Sequence, residues 1–351
     1  MKRIAIDTLH AFAVDSMLEC GLSAQDAQTV ADVLVGTDTF GVLTHGTKNL
    51  LGYATKLKAG GLDPKAVPTV VAEGPAWAMM DGKKAMGMVS GSAAMNLAVE
   101  KAGACGIAYV GVRDSCHFGA AGYYANIAAK AGMIGIVMSN TDPIMAVPNG
   151  CGVSIGSNPF SYAAPMGNGK SVFLDIALSN VAALKVIMAK EKGQTMPAGC
   201  LIDREGRPTN DPQTFPQASS LAPMAAHKGY GLAVMVEILA SVMTGAGVLS
   251  QVKSWNLDPA TPNNAGHAFI AIDVSKMLPK DEFEARMAAL ADELHSAKKA
   301  AGTDRIYLPG EMEWDKREKA EKDGFIEVPD NMADALNKLS ATNGIALTWL
   351  D

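Results

Sequence analysis

The sequence predicts an α/β protein built in layers, and three observations carry that expectation. Helix-like and strand-like segments alternate through the middle of the chain, as layered α/β architectures require. Two pairs of adjacent strand-like runs are joined by short turns, which argues against a purely parallel sheet. Both ends of the chain read as helical, so they can come together as one subdomain.

The elements follow in order. Asp7 is placed to cap "TLHAFAVDSMLEC" and Ser23 to cap "AQDAQTVADVLVGTD", each with apolar residues near helical spacing. "VPTVVAEG" and "AWAMMDGKK" read as strands around a Gly-Pro turn. Helix-like "SGSAAMNLAVEKAGAC" leads to strand-like "IAYVGV", and "AAGYYANIAAKAG" leads to "MIGIVMSN". "PFSYAAP" and "SVFLDIAL" form a strand pair around "MGNGK", followed by the helix "VAALKVIMAKEKG". "HKGYGLAVMVEILASVMTG" is nearly all apolar and reads as a buried helix, "HAFIAIDV" as a further strand, and "DEFEARMAALADELHSAKKAA" as an amphipathic helix. Two more helices are expected in the last forty or so residues.

Composition narrows the function. The 351 residues are 48% hydrophobic and 19% charged, with a net charge of −6, which suits a globular enzyme. No basic block points to nucleic acid, and no long apolar run points to a membrane span. The start lacks the pattern of a secretory signal, because Asp7 and Asp15 interrupt its apolar run. Five scattered cysteines form no CxxC pair, so neither a disulfide framework nor a zinc ribbon is expected, and a reducing cytoplasm fits. The twenty methionines read as core filling.

Several motif matches fail on context. "GVSIG" (152–156) has the spacing of a nucleophile elbow, but Pro159 blocks the helix that must follow. "GNGKS" (167–171) ends like a P-loop but has Ala164 where the first glycine belongs, so a hairpin turn is expected. No G-x-G-x-x-G follows a strand and opens a helix, and no H-E-x-x-H marks a metal site.

Four segments instead set reactive groups beside glycines at element ends: "TFGVLTHGTKN", "DSCHFGAAGYY", "FLDIALSN" and "HKGYGL". Taken singly, a histidine is more often a structural hydrogen bonder than a catalyst, and Lys228 can simply favour solvent. Asp175, in an apolar strand-like run, is costly to bury without a partner. A helix N-terminus, since "SNVAALK" follows, and a histidine are comparable candidates for that partner.

Together the four segments resemble the malate/L-lactate dehydrogenase family outside the Rossmann class, whose relatives include ureidoglycolate and sulfolactate dehydrogenases, diketogulonate reductase and piperideine-carboxylate reductase. The resemblance runs through "SCHFGAAGYYANIAAKAGMIGIVMSN", "IGSNPFSYAAP", "GRPTNDP", "HKGYGLAVMVEILA" and "RIYLPGE". It implies a three-layer α/β fold with a mixed, largely antiparallel sheet that binds NAD or NADP without a Rossmann unit. A helical subdomain is expected from residues 1–65 and 311–351, with an α/β domain at 66–310. It implies a cytoplasmic homodimer or higher homo-oligomer whose active sites are completed across the subunit interface.

The family's hydroxyl-His-Asp set falls on Thr44, His45 and Asp175, with threonine where relatives commonly have serine. His117, Asp175, Ile176, Ala177, Lys228, Gly229, Pro309, Gly310 and Glu311 lie on segments similar to its cofactor contacts. Such an enzyme interconverts a small 2-hydroxy acid and its 2-oxo form, or reduces a cyclic imine carboxylate. The expected roles are His45 as acid and base, Asp175 orienting it, Thr44 bonding the ring or the substrate, and His117 holding the nicotinamide end. Lys228 is expected to meet the phosphates, assisted by the amides of "KGYG". Relatives place arginine where Asn49 stands, so the expectation is that Lys48 or another cation takes over the carboxylate or that the substrate lacks one there; Lys48 and Asn49 are expected at the substrate site, and Leu178 replaces a common threonine. A Thr-His-Asp hydrolase and a catalytically idle nicotinamide-binding protein remain as alternatives from other classes.

Overall fold

The computed structural model describes residues 1–350. The chain opens with β1 (Lys2–Ala5), then α1 (Ile6–Glu19), α2 (Ala24–Thr39) and α3 (Leu50–Lys58). The middle runs β2 (Thr69–Gly74), β3 (Trp77–Asp81), α4 (Gly87–Cys105), β4 (Ile107–Ser115), α5 (Ala121–Lys130), β5 (Met133–Ser139), β6 (Phe160–Pro165) and β7 (Ser171–Ile176). Then come α6 (Ala183–Glu191), the short strands β8 (Leu201–Asp203), β9 (Pro208–Thr209) and β10 (Ser219–Leu221), α7 (His227–Glu237) and β11 (Ala265–Asp273). The chain continues through α8 (Lys280–His295), α9 (Glu311–Asp323), β12 (Phe325–Val328) and α10 (Asp330–Asn343).

Seven strands form the main sheet in the order β2-β3-β4-β11-β5-β6-β7. Only β3 and β4 pair in parallel; every other neighbour in that sheet is antiparallel. The mixed, largely antiparallel sheet expected from the sequence is therefore present. β11 lies at its centre, with Phe269 opposite Val110 on one side and Val137 on the other.

Strand alternation sorts side chains to two cores, as a period of two demands. Phe269, Ala271, Val110 and Val137 face a core shared with α1 to α5 and α10. Ala268, Ile270, Met138 and Tyr109 face a second core with α6, α7 and the small sheet. Helices on both faces of one sheet make three layers. Each fully buried large apolar side chain contributes about 1.5–3 kcal/mol.

Two local expectations change. Ala5, not Asp7, occupies the N-cap of α1, because the first residues form β1 and pair antiparallel with β12. Ser23 caps α2 as expected, accepting the Asp26 amide. The apolar segment beginning at α7 is not buried throughout: it passes into a π-helical turn, Ile238–Val242, and Leu232, Ile238 and Val242 are exposed. The "GNGKS" segment spans the β6–β7 turn into the start of β7, and Ser154 of "GVSIG" lies outside any strand or helix. Among the described residues, no helix is long and apolar enough to cross a membrane, and no cluster of His, Cys, Asp and Glu is arranged to hold a metal.

Candidate active site

The loop carrying Thr44 and His45 is held from both sides. Asp38, near the end of α2 and 1% exposed, accepts the Thr47 amide at 3.0 Å and the Thr47 hydroxyl at 2.6 Å through one carboxyl oxygen. Burial pushes its carboxyl up to about 7 against the pull of those two bonds. On the other side, the Asn49 amide donates to the Thr44 carbonyl at 3.0 Å. Between these braces Thr44 Oγ1 lies 2.8 Å from His45 Nδ1. Burial lowers the pKa of His45, which favours neutral imidazole.

His117 follows β4 and stacks beside His45, with ring centroids 5.7 Å apart. The Tyr53 hydroxyl of α3 lies 2.5 Å from His117 Nδ1. Burial pushes the Tyr53 phenol well above its ordinary value, so it keeps its proton. A protonated phenol either donates its O–H to Nδ1 or accepts a hydrogen from it. Where it donates, His117 carries its hydrogen on Nε2. Burial, with His45 and His267 nearby, lowers His117 to about 3, so it stays neutral. His267 has no such freedom: it is fully buried between the Ser139 and Ser115 hydroxyls, at 2.8 and 2.9 Å. It reads as structural.

The remaining expected residues follow β7. The Phe173 amide donates to the Pro309 carbonyl at 3.1 Å, which seats Pro309–Glu311 beside the strand. Two residues on, Asp175 accepts the Gly122 amide at 2.7 Å. Burial pushes its carboxyl up to about 6, the Gly122 bond opposes this, and Glu313 adds to it. Beyond Ile176 and Ala177, the Met224 amide donates to the Leu178 carbonyl at 2.9 Å, and the Gly229 amide donates to Met224 at 2.8 Å. Lys228 stands exposed at the start of α7. A cavity of about 280 Å3 at the turn before α7 is lined by Asn149, Asn180, Gly199, Gly206, Pro223 and Ala226. Ala225 and Ala226 take left-handed φ values of 47° and 55° there, a strain more common at ligand-binding turns than in plain connections.

Three contacts differ from expectation. Asp175 makes its hydrogen bond to the start of α5 rather than to His45, and α5 rather than the following α6 supplies the helix N-terminus. The loop 117–122 links the two, since His117 stacks on His45 and Gly122 holds Asp175. The amides of Lys228 and Gly229 donate to Ala225 and Met224 inside the turn, so they are spent within it rather than free to assist at a phosphate. Asn49 spends amide capacity on Thr44 because its short side chain reaches back within the loop. Lys48 beside it is partly buried, which lowers its pKa, with Glu191 opposing. Asp38, Tyr53 and Trp255, whose indole stacks on His117 at 4.6 Å, were not singled out by the sequence reading. A carboxylate in the apolar run of α2 was the available signal for Asp38.

Residues 4–337 match the malate/L-lactate dehydrogenase family. The chain is 35% identical over 350 residues to a malate dehydrogenase of Pyrococcus abyssi, covering 98% of this chain and 95% of that protein. The solved sulfolactate dehydrogenase of Methanocaldococcus jannaschii superposes with a TM-score of 0.91 at 34% identity, covering 98% of each chain. The solved Δ1-piperideine-2-carboxylate reductase of Pseudomonas syringae superposes with a TM-score of 0.86 at 28% identity, covering 97% of this chain and all of that one (100%). A non-Rossmann three-layer fold with these relatives defines an oxidoreductase. The chain belongs to the malate/L-lactate dehydrogenase family.

Proposed function

We propose that the protein is an NAD- or NADP-dependent dehydrogenase that interconverts a small 2-hydroxy acid and its 2-oxo form, with His45 moving the proton. The carrying observation is the Thr44 hydroxyl 2.8 Å from His45 Nδ1, beside a second imidazole, His117, whose Nδ1 lies 2.5 Å from the Tyr53 hydroxyl. The names of the relatives, a malate and a sulfolactate dehydrogenase, support the substrate class.

The residues after β7 and at the start of α7 suit a phosphate-bearing cofactor: the exposed Lys228, and small residues around the cavity. Asp175, Ile176, Ala177, Lys228, Gly229 and Pro309–Glu311 are the proposed contacts, with His117 at the nicotinamide end. When bound, the nicotinamide supplies or accepts hydride. The protein supplies the rest. With Nδ1–H donating to Thr44 Oγ1, neutral His45 presents the Nε2 lone pair and removes the substrate's hydroxyl proton. Protonated at Nε2, it returns that proton in reduction. His117 offers Nε2–H to the same oxygen, stabilising the negative charge that develops there. Lys48 is the proposed partner of the carboxylate.

His45→Gln tests this assignment. Turnover should fall by about 100-fold or more, the range of general acid-base catalysis, while NADH or NADPH still binds. Wild-type turnover in His45→Gln would overturn it. In a second reading the Tyr53–His117 contact runs the other way, Nδ1–H donating to the phenol oxygen, and His117 Nε2 carries the proton; then His117→Gln, not His45→Gln, abolishes turnover. Assays with cyclic imine carboxylates beside 2-oxo acids separate the two substrate classes, and the piperideine-carboxylate reductase fold supports including the imines.

A further inference from the structure

Residues 252–264, between the turn after α7 and β11, cross α3 as a strap. The Lys253 amide donates to the Asn263 carbonyl at 2.9 Å, closing the strap's two ends. Lys56 of α3 is fully buried, yet its ammonium donates to strap carbonyls, Asp258 at 3.2 Å and Thr261 at 2.6 Å. A buried ammonium is costly, so this lysine is committed to holding the strap down. What it holds is Trp255. The indole lies 4.6 Å from His117 and 4.9 Å from Tyr53, with interplanar angles of 13° and 27°. Helix α3 is notched to receive it: a Cβ at Gly52 would stand 2.9 Å from the indole edge.

We propose that Trp255 is the residue that sets substrate size, its indole forming a fixed wall beside the His45–His117 pair so that only compact 2-hydroxy acids fit. This rests on the function proposed above. A wall latched by Lys56 and backed by Tyr53 cannot swing aside for a bulky substituent. Removing the indole leaves space next to the imidazoles and disturbs neither Thr44–His45 nor Asp175, which touch other elements.

The test compares lactate with 3-phenyllactate in wild type, Trp255→Phe, Trp255→Ala and Lys56→Met. The ratio of kcat/KM for the bulky over the small acid should rise by about 10-fold or more in Trp255→Ala, the scale of a pocket-size change. Trp255→Phe should fall between, and Lys56→Met should move in the same direction by loosening the strap. An unchanged ratio in Trp255→Ala overturns the proposal; if that variant does not fold, the ratio in Trp255→Phe decides. Calorimetric binding of oxamate and oxanilate, two unreactive analogues of different bulk, gives a readout free of turnover. A size preference in binding that disappears with Trp255, in a protein that turns over no hydroxy acid, sinks the proposed function and keeps this inference. Turnover of lactate with no effect of Trp255 on either ratio does the reverse.

Discussion

Gly46→Ala perturbs the site through one added methyl group. The new Cβ would stand 1.8 Å from Asp38 Oδ1, 2.4 Å from its Cγ and 2.9 Å from Oδ2. Gly46 has φ −92°, outside the left-handed region, and the added Cβ clashes with the buried carboxyl. Asp38 is 1% exposed and bound to Thr47 twice, so it cannot turn to solvent. Either the carboxyl gives up those bonds or the loop moves. The first costs two hydrogen bonds at about 1 kcal/mol each and the second overpacking of about 1–3 kcal/mol, so a loss of roughly 1–3 kcal/mol is expected. His45 is the preceding residue, and a displacement of about 1 Å at a catalytic group can cost about 100-fold in rate. Urea unfolding and steady-state nicotinamide absorbance read both effects. Asp38→Ala in the same background should restore part of the loss, making the pair non-additive. Gly46→Ala within about 0.5 kcal/mol of wild type, with kcat/KM within about 3-fold, would refute the reasoning.

Further outcomes follow from the same contacts. Because burial lowers the pKa of His45, kcat/KM for oxidation should hold at neutral pH and fall only below its ordinary value of 6.5, as the base becomes protonated. A fall in kcat/KM that already sets in above 6.5 would contradict that role for His45. Asp38 is raised in the folded state from 3.8 to about 7. The folded protein therefore binds that proton more tightly. This contribution is complete below 3.8 and is lost as pH rises through about 7. Relative to Asp38→Asn, wild type should lose stability across that window, and parallel pH–stability curves would contradict it. Tyr53→Phe removes the donor to His117 Nδ1 and should lower kcat by about 10-fold with a stability loss of about 1–2 kcal/mol, read by turnover and urea unfolding; unchanged kcat would dissociate His117 from the chemistry.

Local periodicity made the strand pairs β2–β3 and β6–β7 and the helices α4 and α5 legible, because each element's signal lies within its own residues. β1 and β12 were not legible: "KRIA" and "FIEV" are four residues each, and only their pairing across the whole chain makes them strands. The same holds for β8 to β10, of two or three residues. At the site, Thr44, His45 and His117 stood out as reactive groups beside glycines, and the structure stacks the two imidazoles. For Asp175 the sequence offers a helix N-terminus or a histidine as partner, and spacing points to the helix that follows it. The partner is α5, fifty-three residues back, which only the sheet register brings near. Asp38, Tyr53 and Trp255 look like ordinary core or loop residues in sequence. Their roles arise from Gly46 folding back on α2 and from the strap crossing α3, both tertiary events.

The most direct test of the account is single-turnover oxidation of bound NADH or NADPH by a 2-oxo acid, compared in wild type, His45→Gln and His117→Gln. The account predicts rapid loss of nicotinamide absorbance in wild type and a step slowed by about 100-fold or more in His45→Gln despite normal cofactor binding. His117→Gln should retain a measurable, slower step. Equal rates in wild type and His45→Gln would contradict it.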